Sequence, residues 1–173
     1  MGAKTFIAVI AVLAVIALLA FGLRDKNADA IAAGDPVPEP DLTELSSGSS
    51  ASLEEFRGKW LLLNMWSSWC EPCREEAPDL QRFYEQHRRD GFEVLGVDTQ
   101  DATDDALAFA DEFGLTYPQV HDGSGDYAQE ELHTTGVPEN FLVDPEGNVA
   151  FVQRGPVSGE ILDEQVAPLI EGG

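Results

Sequence analysis

The sequence predicts an α/β domain, a mixed β-sheet with helices on both faces, placed behind an N-terminal transmembrane helix. Residues 5–23 are uncharged and almost entirely apolar. Further on, an apolar run at 60–66, a helical pattern at 70–89 and a second apolar run at 92–97 give the order strand, helix, strand that builds a parallel pair. A later pair of apolar runs encloses the turn at 144–148 and predicts an antiparallel hairpin. Parallel and antiparallel pairs in one chain indicate a mixed sheet.

The N-terminal apolar run has the length of a membrane anchor. A helix over residues 5–23 rises about 28 Å, enough to cross the hydrocarbon core of a bilayer. Lys4 precedes the run, and Arg24, Asp25 and Lys26 follow it, a charge bias too small to fix the orientation. A cleaved signal peptide is the alternative, because Ala-Asp-Ala at 28–30 resembles a cleavage site. Either segment places the rest of the chain outside the cytoplasm.

The chain divides into four segments on this basis. We expect a cytoplasmic N-terminus at 1–4, the anchor (or uncleaved signal) at 5–23, a linker at 24–38 and a folded domain at 39–173. The linker is rich in Ala, Pro and acidic residues and predicts a stalk that holds the domain off the membrane. The remaining length is that of one domain, and we expect a monomer.

The charge balance excludes one class of partner. The chain has 10 Lys and Arg against 32 Asp and Glu, a formal net charge of −22. Nucleic-acid binding needs a basic face, so it is not expected. The acidic residues indicate a solvated surface.

His87, His121 and His133 do not form a close ligand pair, and we interpret His121 and His133 as surface or capping residues. We therefore expect no metal and no cofactor.

Turn residues and helical spacing place the smaller elements. Segments 42–45 and 51–53 bracket a Ser/Gly-rich turn and predict a small hairpin, and Ser52 with Glu55 forms a possible capping box for the next turn. Pro78 lies inside the helix at 70–89 and is expected to kink it. The remaining expected elements are a helix at 104–113 capped by Thr103, an extended piece at 117–120, a brief helix at 127–132 and a last helix capped by Ser158.

Cys70 and Cys73 are the only cysteines, and they lie where the first apolar strand meets the following helix. A helix N-terminus lowers the pKa of a thiol, because its free N–H groups and dipole stabilise negative charge. A C-x-x-C pair at such a junction indicates a dithiol that cycles between reduced and oxidised forms. Zinc binding needs four ligands, and the sequence has no second C-x-x-C. An inert structural disulfide and two unrelated buried cysteines are two further interpretations of the pair.

The sequence from about residue 37 to residue 170 resembles the thioredoxin fold, and more closely the membrane-anchored TlpA/ResA/DsbE (CcmG) branch of thiol–disulfide oxidoreductases. The motifs that carry the resemblance are Leu-Asn-Met-Trp at 63–66, Trp-Cys-Glu-Pro-Cys at 69–73, Arg-Glu-Glu at 74–76 and Gly-Val-Pro-Glu-Asn-Phe-Leu-Val-Asp at 136–144. Asn64 stands where thioredoxins proper carry a buried aspartate, which favours the specialised branch.

The resemblance implies a role for each residue of the first motif. Cys70 is the attacking thiolate, and Cys73 resolves the mixed disulfide. Glu71 adds negative charge and Pro72 removes an N–H group, so both are expected to keep the pKa of Cys70 from falling very low. Glu76 matches an acidic residue of the family that can exchange protons with the thiols. Without the resemblance, Glu76 is interpreted as a solvated helix glutamate.

The second motif contributes the other side of the site. Pro138 resembles the cis-proline that faces the dithiol in this fold, although the sequence alone favours a trans bond. Val137 is then expected to offer backbone groups to an extended target peptide. We expect Trp69 in the core and Trp66 at the rim of the site, with a place for Trp69 on the docking surface as the alternative.

The resemblance further implies a function. The domain is expected to reduce the haem-attachment cysteines of apocytochromes c, with electrons supplied by a membrane thiol carrier. One alternative is a general disulfide reductase or oxidase of the cell envelope. A copper-binding assembly factor is also considered, although those relatives usually carry C-x-x-x-C. A peroxidase of this fold carries threonine three residues before its cysteine, where this chain has Ser67.

Overall fold

The computed structural model describes residue 2, residues 12–15 and residues 30–172. No helix within these described residues is long and apolar enough to cross a membrane. The predicted cytoplasmic terminus at 1–4 and anchor at 5–23 lie outside them, except for residue 2 and the helical residues 12–15. One compact unit comprises residues from Ile31 onward.

The centre of this unit is a seven-stranded mixed sheet, as predicted. The strand order is β2-β1-β5-β4-β3-β6-β7, in which β3–β4 and β4–β5 are parallel and the other pairs are antiparallel. The strands are β1 (Leu42–Glu44), β2 (Ser50–Ala51), β3 (Trp60–Trp66), β4 (Phe92–Thr99), β5 (Gln119–Asp122), β6 (Glu139–Val143) and β7 (Val149–Arg154).

The helices differ in length between the two faces of the sheet. Helix α1 (Glu71–His87), helix α2 (Thr103–Glu112) and a C-terminal run cover one face, where α1 and the C-terminal run pack on Leu62 and α2 packs on Trp66. The C-terminal run consists of α3 (Gly159–Ile161), a π-helical stretch (Leu162–Val166) and α4 (Ala167–Glu171). On the opposite face, the helical segments among the described residues are a 3₁₀ turn (Leu53–Phe56) and a π-helical turn (Tyr127–Glu131).

Strand β3 forms the middle of the core because its side chains are buried on both faces. Leu61, Leu63 and Met65 belong to the core on the face with the short turns, whereas Leu62 belongs to the core under α1. A fully covered strand lacks the polar alternation of a half-exposed one. This is why the continuous apolar run at 60–66 coincides with a strand.

The predicted linker at 24–38 differs from the structure over its last residues. Ile31 and Val37 are buried in the core, and the compact unit starts at residue 31, before the expected boundary at residue 39. Gly34 N donates to Val149 O over 2.8 Å, and Val149 N donates to Asp35 O over 2.8 Å. The segment 31–38, which we call the strap, forms backbone hydrogen bonds with β7, the strand at the edge of the sheet. The Ala, Pro and acidic residues of this segment are typical of a linker, so the sequence did not indicate that Ile31 and Val37 are buried in the core.

Candidate active site

The two cysteines lie at the start of α1. Cys70 is the N-cap residue of this helix, and its Sγ accepts a hydrogen bond from Cys73 N at 3.1 Å. The two residues form a disulfide, with their Cα atoms 5.2 Å apart. Both are buried, Cys70 at 4% exposure and Cys73 at 1%. Glu71 and Pro72 between them are exposed. A thiolate at Cys70 therefore has the N–H group of Cys73 as a donor, in the turn where helix N–H groups are free.

Three hydrogen bonds hold the loop between β3 and Cys70 against the last residue of β4 and the segment that follows it. Ser67 Oγ donates to Thr99 O over 2.6 Å, and Trp69 Nε1 donates to Gln100 O over 3.2 Å. Between these contacts, the Ser68 N–H donates to the Asp101 carboxylate. The carboxyl ends of β3 and β4 thus fix the approach to the nucleophile.

The two tryptophans have the reverse of their expected positions. Trp66 is 1% exposed and stacks on Phe109 of α2 at a centroid distance of 4.5 Å, so it belongs to the core. Trp69 is 62% exposed, so it forms the rim. The reason is that Trp66 is the last residue of β3 and faces α2, whereas Trp69 belongs to the loop. The alternative that places Trp69 on an exposed surface beside Cys70 agrees with this geometry.

Glu76 is buried at 2% exposure, so the interpretation of a solvated helix glutamate is wrong. Its Oε1 accepts from Asn64 Nδ2 at 2.7 Å, and its Oε2 accepts from Asn140 Nδ2 at 3.1 Å and from Val157 N at 2.8 Å. Asn64 Nδ2 also donates to Asn140 Oδ1 at 3.0 Å. Burial raises the pKa of Glu76 to about 7, against the opposing effect of the three donors. Glu76 is one helical turn from Cys73, on the same side of α1.

The Val137–Pro138 peptide bond is cis, as the resemblance implied. Val137 packs against the cluster that contains Cys70 and Cys73, and Pro138 O accepts from Gly155 N at 2.9 Å. The loop before Pro138 and the rim residue Trp69 enclose a groove of about 300 Å³. Its lining residues carry no charge and are Trp69, Thr99, Gln100, Ala128, Gln129, Thr134, Thr135, Gly136 and Val137.

Two buried acidic residues near these loops, Asp98 and Glu139, were not predicted from the sequence. Asp98 is fully buried near the end of β4, and its Oδ2 atom lies 2.6 Å from His121 Nδ1. His121 is therefore half-buried rather than a surface residue. Burial is the main cause that raises the pKa of Asp98 to about 7. Glu139 pairs with Arg154 at 2.7 Å. Each acidic residue adjoins a strand-like apolar run, and this position was the available signal. No group of three His, Cys, Asp or Glu side chains in the described part of the chain is arranged to hold a metal ion.

Comparison with known proteins agrees with this geometry. The family model of the AhpC/TSA family matches residues 33–152. The chain belongs to the AhpC/TSA family. Thiol-disulfide oxidoreductase ResA from Geobacillus kaustophilus is 32% identical over 137 residues, which are 79% of this chain and 78% of that protein. Thiol:disulfide interchange protein HelX from Rhodobacter capsulatus is 32% identical over 168 residues, 96% of this chain and 93% of that protein.

A solved structure has the same fold as this chain. The crystal structure of the thioredoxin domain of a thiol-disulfide oxidoreductase from Bacteroides vulgatus superposes with a TM-score of 0.73 at 29% identity. The superposition covers 82% of this chain and 99% of that chain. The predicted thioredoxin-like fold and the resemblance to the ResA/DsbE branch are therefore confirmed.

This member of the AhpC/TSA family is a thiol–disulfide oxidoreductase with Cys70 and Cys73 as its redox pair. The ResA relative carries that name, the HelX relative is named a thiol:disulfide interchange protein, and the cysteine pair has the disulfide that the activity requires. Ser67, at the position where a peroxidase of this fold carries threonine, is fully buried, and its hydroxyl group donates a hydrogen bond to Thr99 O.

Proposed function

We propose that the protein is an extracytoplasmic reductant of the haem-attachment cysteines of apocytochromes c, anchored in the cell membrane by residues 5–23. The observation that carries the proposal is the Cys70–Cys73 pair at the N-terminus of α1, with a buried Glu76 one turn behind it. The family resemblance supports the choice of target. Apocytochromes present a C-x-x-C-H segment, and its cysteines must be reduced before haem is attached.

The reduction follows two exchange steps. The Cys70 thiolate attacks one sulfur of the target disulfide, an S–S bond forms between Cys70 and the target, and the second target sulfur leaves as a thiolate that takes up a proton. Cys73 then loses its proton and attacks Cys70 Sγ. This step forms the Cys70–Cys73 disulfide and releases the first target sulfur, which is protonated in turn. Two electrons pass from the enzyme dithiol to the target.

Glu76 serves the second step as the acceptor of the Cys73 proton. A carboxyl group with a pKa near 7 exchanges protons most effectively at neutral pH. Its two asparagine donors and Val157 N hold it in place. The proton released by Cys73 then returns to solvent or to the departing target sulfur.

The target peptide binds between the rim residue Trp69 and the loop at Val137. Trp69 is exposed directly beside Cys70. Val137 precedes Pro138 and packs against the cluster that contains Cys70 and Cys73. An extended peptide in this groove adds main-chain hydrogen bonds in the manner of an added strand. Glu71 and Pro72 form the helix side of the rim and moderate the acidity of Cys70.

The reduction potential of the Cys70–Cys73 pair is the first test. We expect a value near that of thioredoxin, about −270 mV, in a titration of the soluble domain against dithiothreitol or glutathione. Such a couple donates electrons, and a membrane thiol carrier must then re-reduce it. A value near about −120 mV, the range of a strong oxidant, is the result that contradicts a reducing role.

The target is tested by trapping. In cells that make cytochromes c, Cys73→Ser of the full chain is expected to accumulate mixed disulfides between Cys70 and apocytochromes, because the resolving thiol is gone. The matched control is Cys70→Ser, Cys73→Ser, which traps nothing. Capture of other envelope proteins without any apocytochrome indicates a general disulfide reductase instead.

The anchor is tested by cell fractionation. The full chain is expected in the membrane fraction, with its catalytic domain accessible to thiol reagents from the outside. Release of the full-length chain by an alkaline wash contradicts an integral anchor.

A further inference from the structure

Glu139 is a second buried carboxylate of the site, and the redox chemistry described above does not use it. It is 2% exposed and directly follows Pro138 at the start of β6. Side chains alternate between the faces of a strand, so Glu139 and its neighbour Asn140 point to opposite faces. Asn140 contacts Glu76 under α1. Glu139 therefore lies on the other side of the sheet from the proton-exchange site.

Its carboxylate connects two separate parts of the chain. Oε1 accepts from Thr135 N at 2.8 Å and from Thr135 Oγ1 at 2.7 Å. Oε2 accepts from Arg154 Nη1 at 2.7 Å. Arg154 is the residue of β7 directly opposite Glu139 in the sheet register. A buried charge needs a partner of opposite charge and further hydrogen bonds, and this carboxylate has both.

These contacts fix the loop that leads to Pro138 at both of its ends. Thr135 is held by the Glu139 carboxylate, and Pro138 O is held by Gly155 N at 2.9 Å. Gly136, between the two attachments, is exposed and has open space around it. Without the carboxylate, Thr135 loses both of its hydrogen bonds to Glu139, one from its backbone N–H and one from its hydroxyl group. Thr134 N also donates to Ala128 O over 2.8 Å at this end of the loop. Hydrogen bonds to charged groups are stronger than neutral ones, so the Glu139 contacts make a large contribution to its placement.

We propose that Glu139, held by Arg154, is a positioning residue that keeps residues 135–138 in the conformation that binds the target polypeptide. The proposal rests on the proposed function in one respect, namely that Val137 contacts the target. Glu139 lies across the sheet from Glu76, and its hydrogen bonds go to Thr135 and Arg154. It therefore affects binding of the target polypeptide and leaves the chemistry of the two cysteines unchanged.

The test compares two disulfide substrates on the same variants. One is an oxidised peptide with a C-x-x-C-H segment, which must occupy the groove; the other is a small aromatic disulfide that reacts with the dithiol directly. We expect Glu139→Gln to lower the rate constant for the peptide by about tenfold, the loss of one charge-assisted hydrogen bond. The rate for the small disulfide and the reduction potential are expected to stay at wild-type values.

Three further variants keep the result interpretable. Thr135→Val removes only the hydroxyl donor and is expected to give a smaller loss for the peptide alone. Arg154→Lys retains a cation and is expected to restore most of the loss seen in Arg154→Met. Arg57→Met is the matched control. It removes an ion pair with Glu39 and a hydrogen bond to Glu146 O, in the turn that follows the opposite end of β6 from the loop, and it is expected to leave both rates unchanged.

The outcomes separate this proposal from the proposed function. Equal loss for both substrates, or no loss for either, overturns the positioning role of Glu139. A wild-type protein with the potential of a strong oxidant overturns the reducing role instead. The peptide comparison is then run in the oxidising direction, where the same loop must bind the reduced peptide and the same selectivity is expected.

Discussion

Asn64 Nδ2 lies 2.7 Å from Glu76 Oε1, so an amide in the central strand donates a hydrogen bond to the carboxyl group of the active-site helix. The same nitrogen donates to Asn140 Oδ1, and Asn140 Nδ2 donates to the other oxygen of Glu76. The three side chains form a closed set in which every contact has a donor and an acceptor. An aspartate at position 64 cannot donate when ionised. Asn64 is therefore one of the three donors, with Asn140 and Val157 N, that stabilise an ionised Glu76 at this buried site.

Asn64→Asp tests this relationship. It places a second carboxyl group against Glu76, and like charges at this distance favour one shared proton. The folded protein then holds that proton to a higher pH than the unfolded chain. The added stability of the protonated form is present at low pH and is lost as pH rises through the raised folded pKa.

We expect Asn64→Asp to lower the free energy of unfolding by about 2–4 kcal/mol at pH 8 and by much less at pH 5. Urea denaturation of the oxidised domain at both pH values measures it. Asn64→Ala, which removes the donor without adding a charge, is the control and is expected to show a smaller pH dependence. Equal stability of wild type and Asn64→Asp at pH 8 contradicts the contact.

The raised pKa of Glu76 makes the free energy of unfolding depend on pH. Burial raises its pKa from 4.5 to about 7 in the folded protein. Between these values the folded state holds a proton that the unfolded state has lost, so stability falls as pH rises. At 1.36 kcal/mol per pKa unit, the loss between pH 4 and pH 8 is roughly 3 kcal/mol.

Glu76→Gln removes this contribution. Subtracting its stability curve from that of wild type cancels the general repulsion of the acidic surface. We expect the difference to fall by roughly 3 kcal/mol from pH 4 to pH 8. The matched control for the loss of one negative charge is Glu75→Gln, at the exposed neighbouring position of the same helix. A flat difference for Glu76→Gln is incompatible with a raised folded pKa.

Local patterns were sufficient to predict the elements that hold the cysteines. The continuous apolar run of β3, the placement of Cys70 at a helix start and the turn between β6 and β7 are all properties of short segments. The environment of Glu76 was not predictable in the same way, because its partners Asn140 and Val157 lie 64 and 81 residues away in the sequence. A helical glutamate has the same local pattern whether it is solvated or buried.

The two tryptophans show a different limit. Trp66 and Trp69 differ by three residues, and composition does not distinguish them. Their positions depend on where β3 ends and on α2, whose Phe109 stacks on Trp66.

The cis bond at Pro138 was predicted from the family resemblance alone, because most X-Pro bonds are trans.

Gly96 is required by a close contact within the sheet. A Cβ atom at this position would lie 2.0 Å from Gln119 Oε1. Gln119 Oε1 accepts from Trp66 Nε1 at 3.0 Å, so the added methyl group must displace the side chain that satisfies the buried indole. An unsatisfied buried donor costs about 1–3 kcal/mol.

We therefore expect Gly96→Ala to destabilise the domain by about 1–3 kcal/mol, with a shift in the tryptophan emission spectrum that reports the altered surroundings of Trp66. Gly136→Ala is the control, because it has open space and no positive φ. Wild-type stability and emission in Gly96→Ala would show that Gln119 moves without losing its bond to Trp66.

The strap provides the last prediction, which concerns where the folded domain begins. Two soluble chains, one starting at residue 31 and one at residue 39, differ only by the segment 31–38. The shorter chain lacks the buried side chains of Ile31 and Val37 and the hydrogen bonds to Val149. Burial of one such side chain stabilises a fold by about 1.5–3 kcal/mol, and ordering the strap offsets part of this.

We expect the chain that starts at residue 39 to be less stable by about 2–4 kcal/mol in urea denaturation, with an unchanged reduction potential because the strap is attached to β7 rather than to α1. Ile31→Ser with Val37→Ser in the longer chain is the matched variant, since it keeps the length and removes only the apolar contacts. It should reproduce most of the loss. If the two lengths unfold at the same urea concentration, residues 31–38 act only as the linker that their composition suggests.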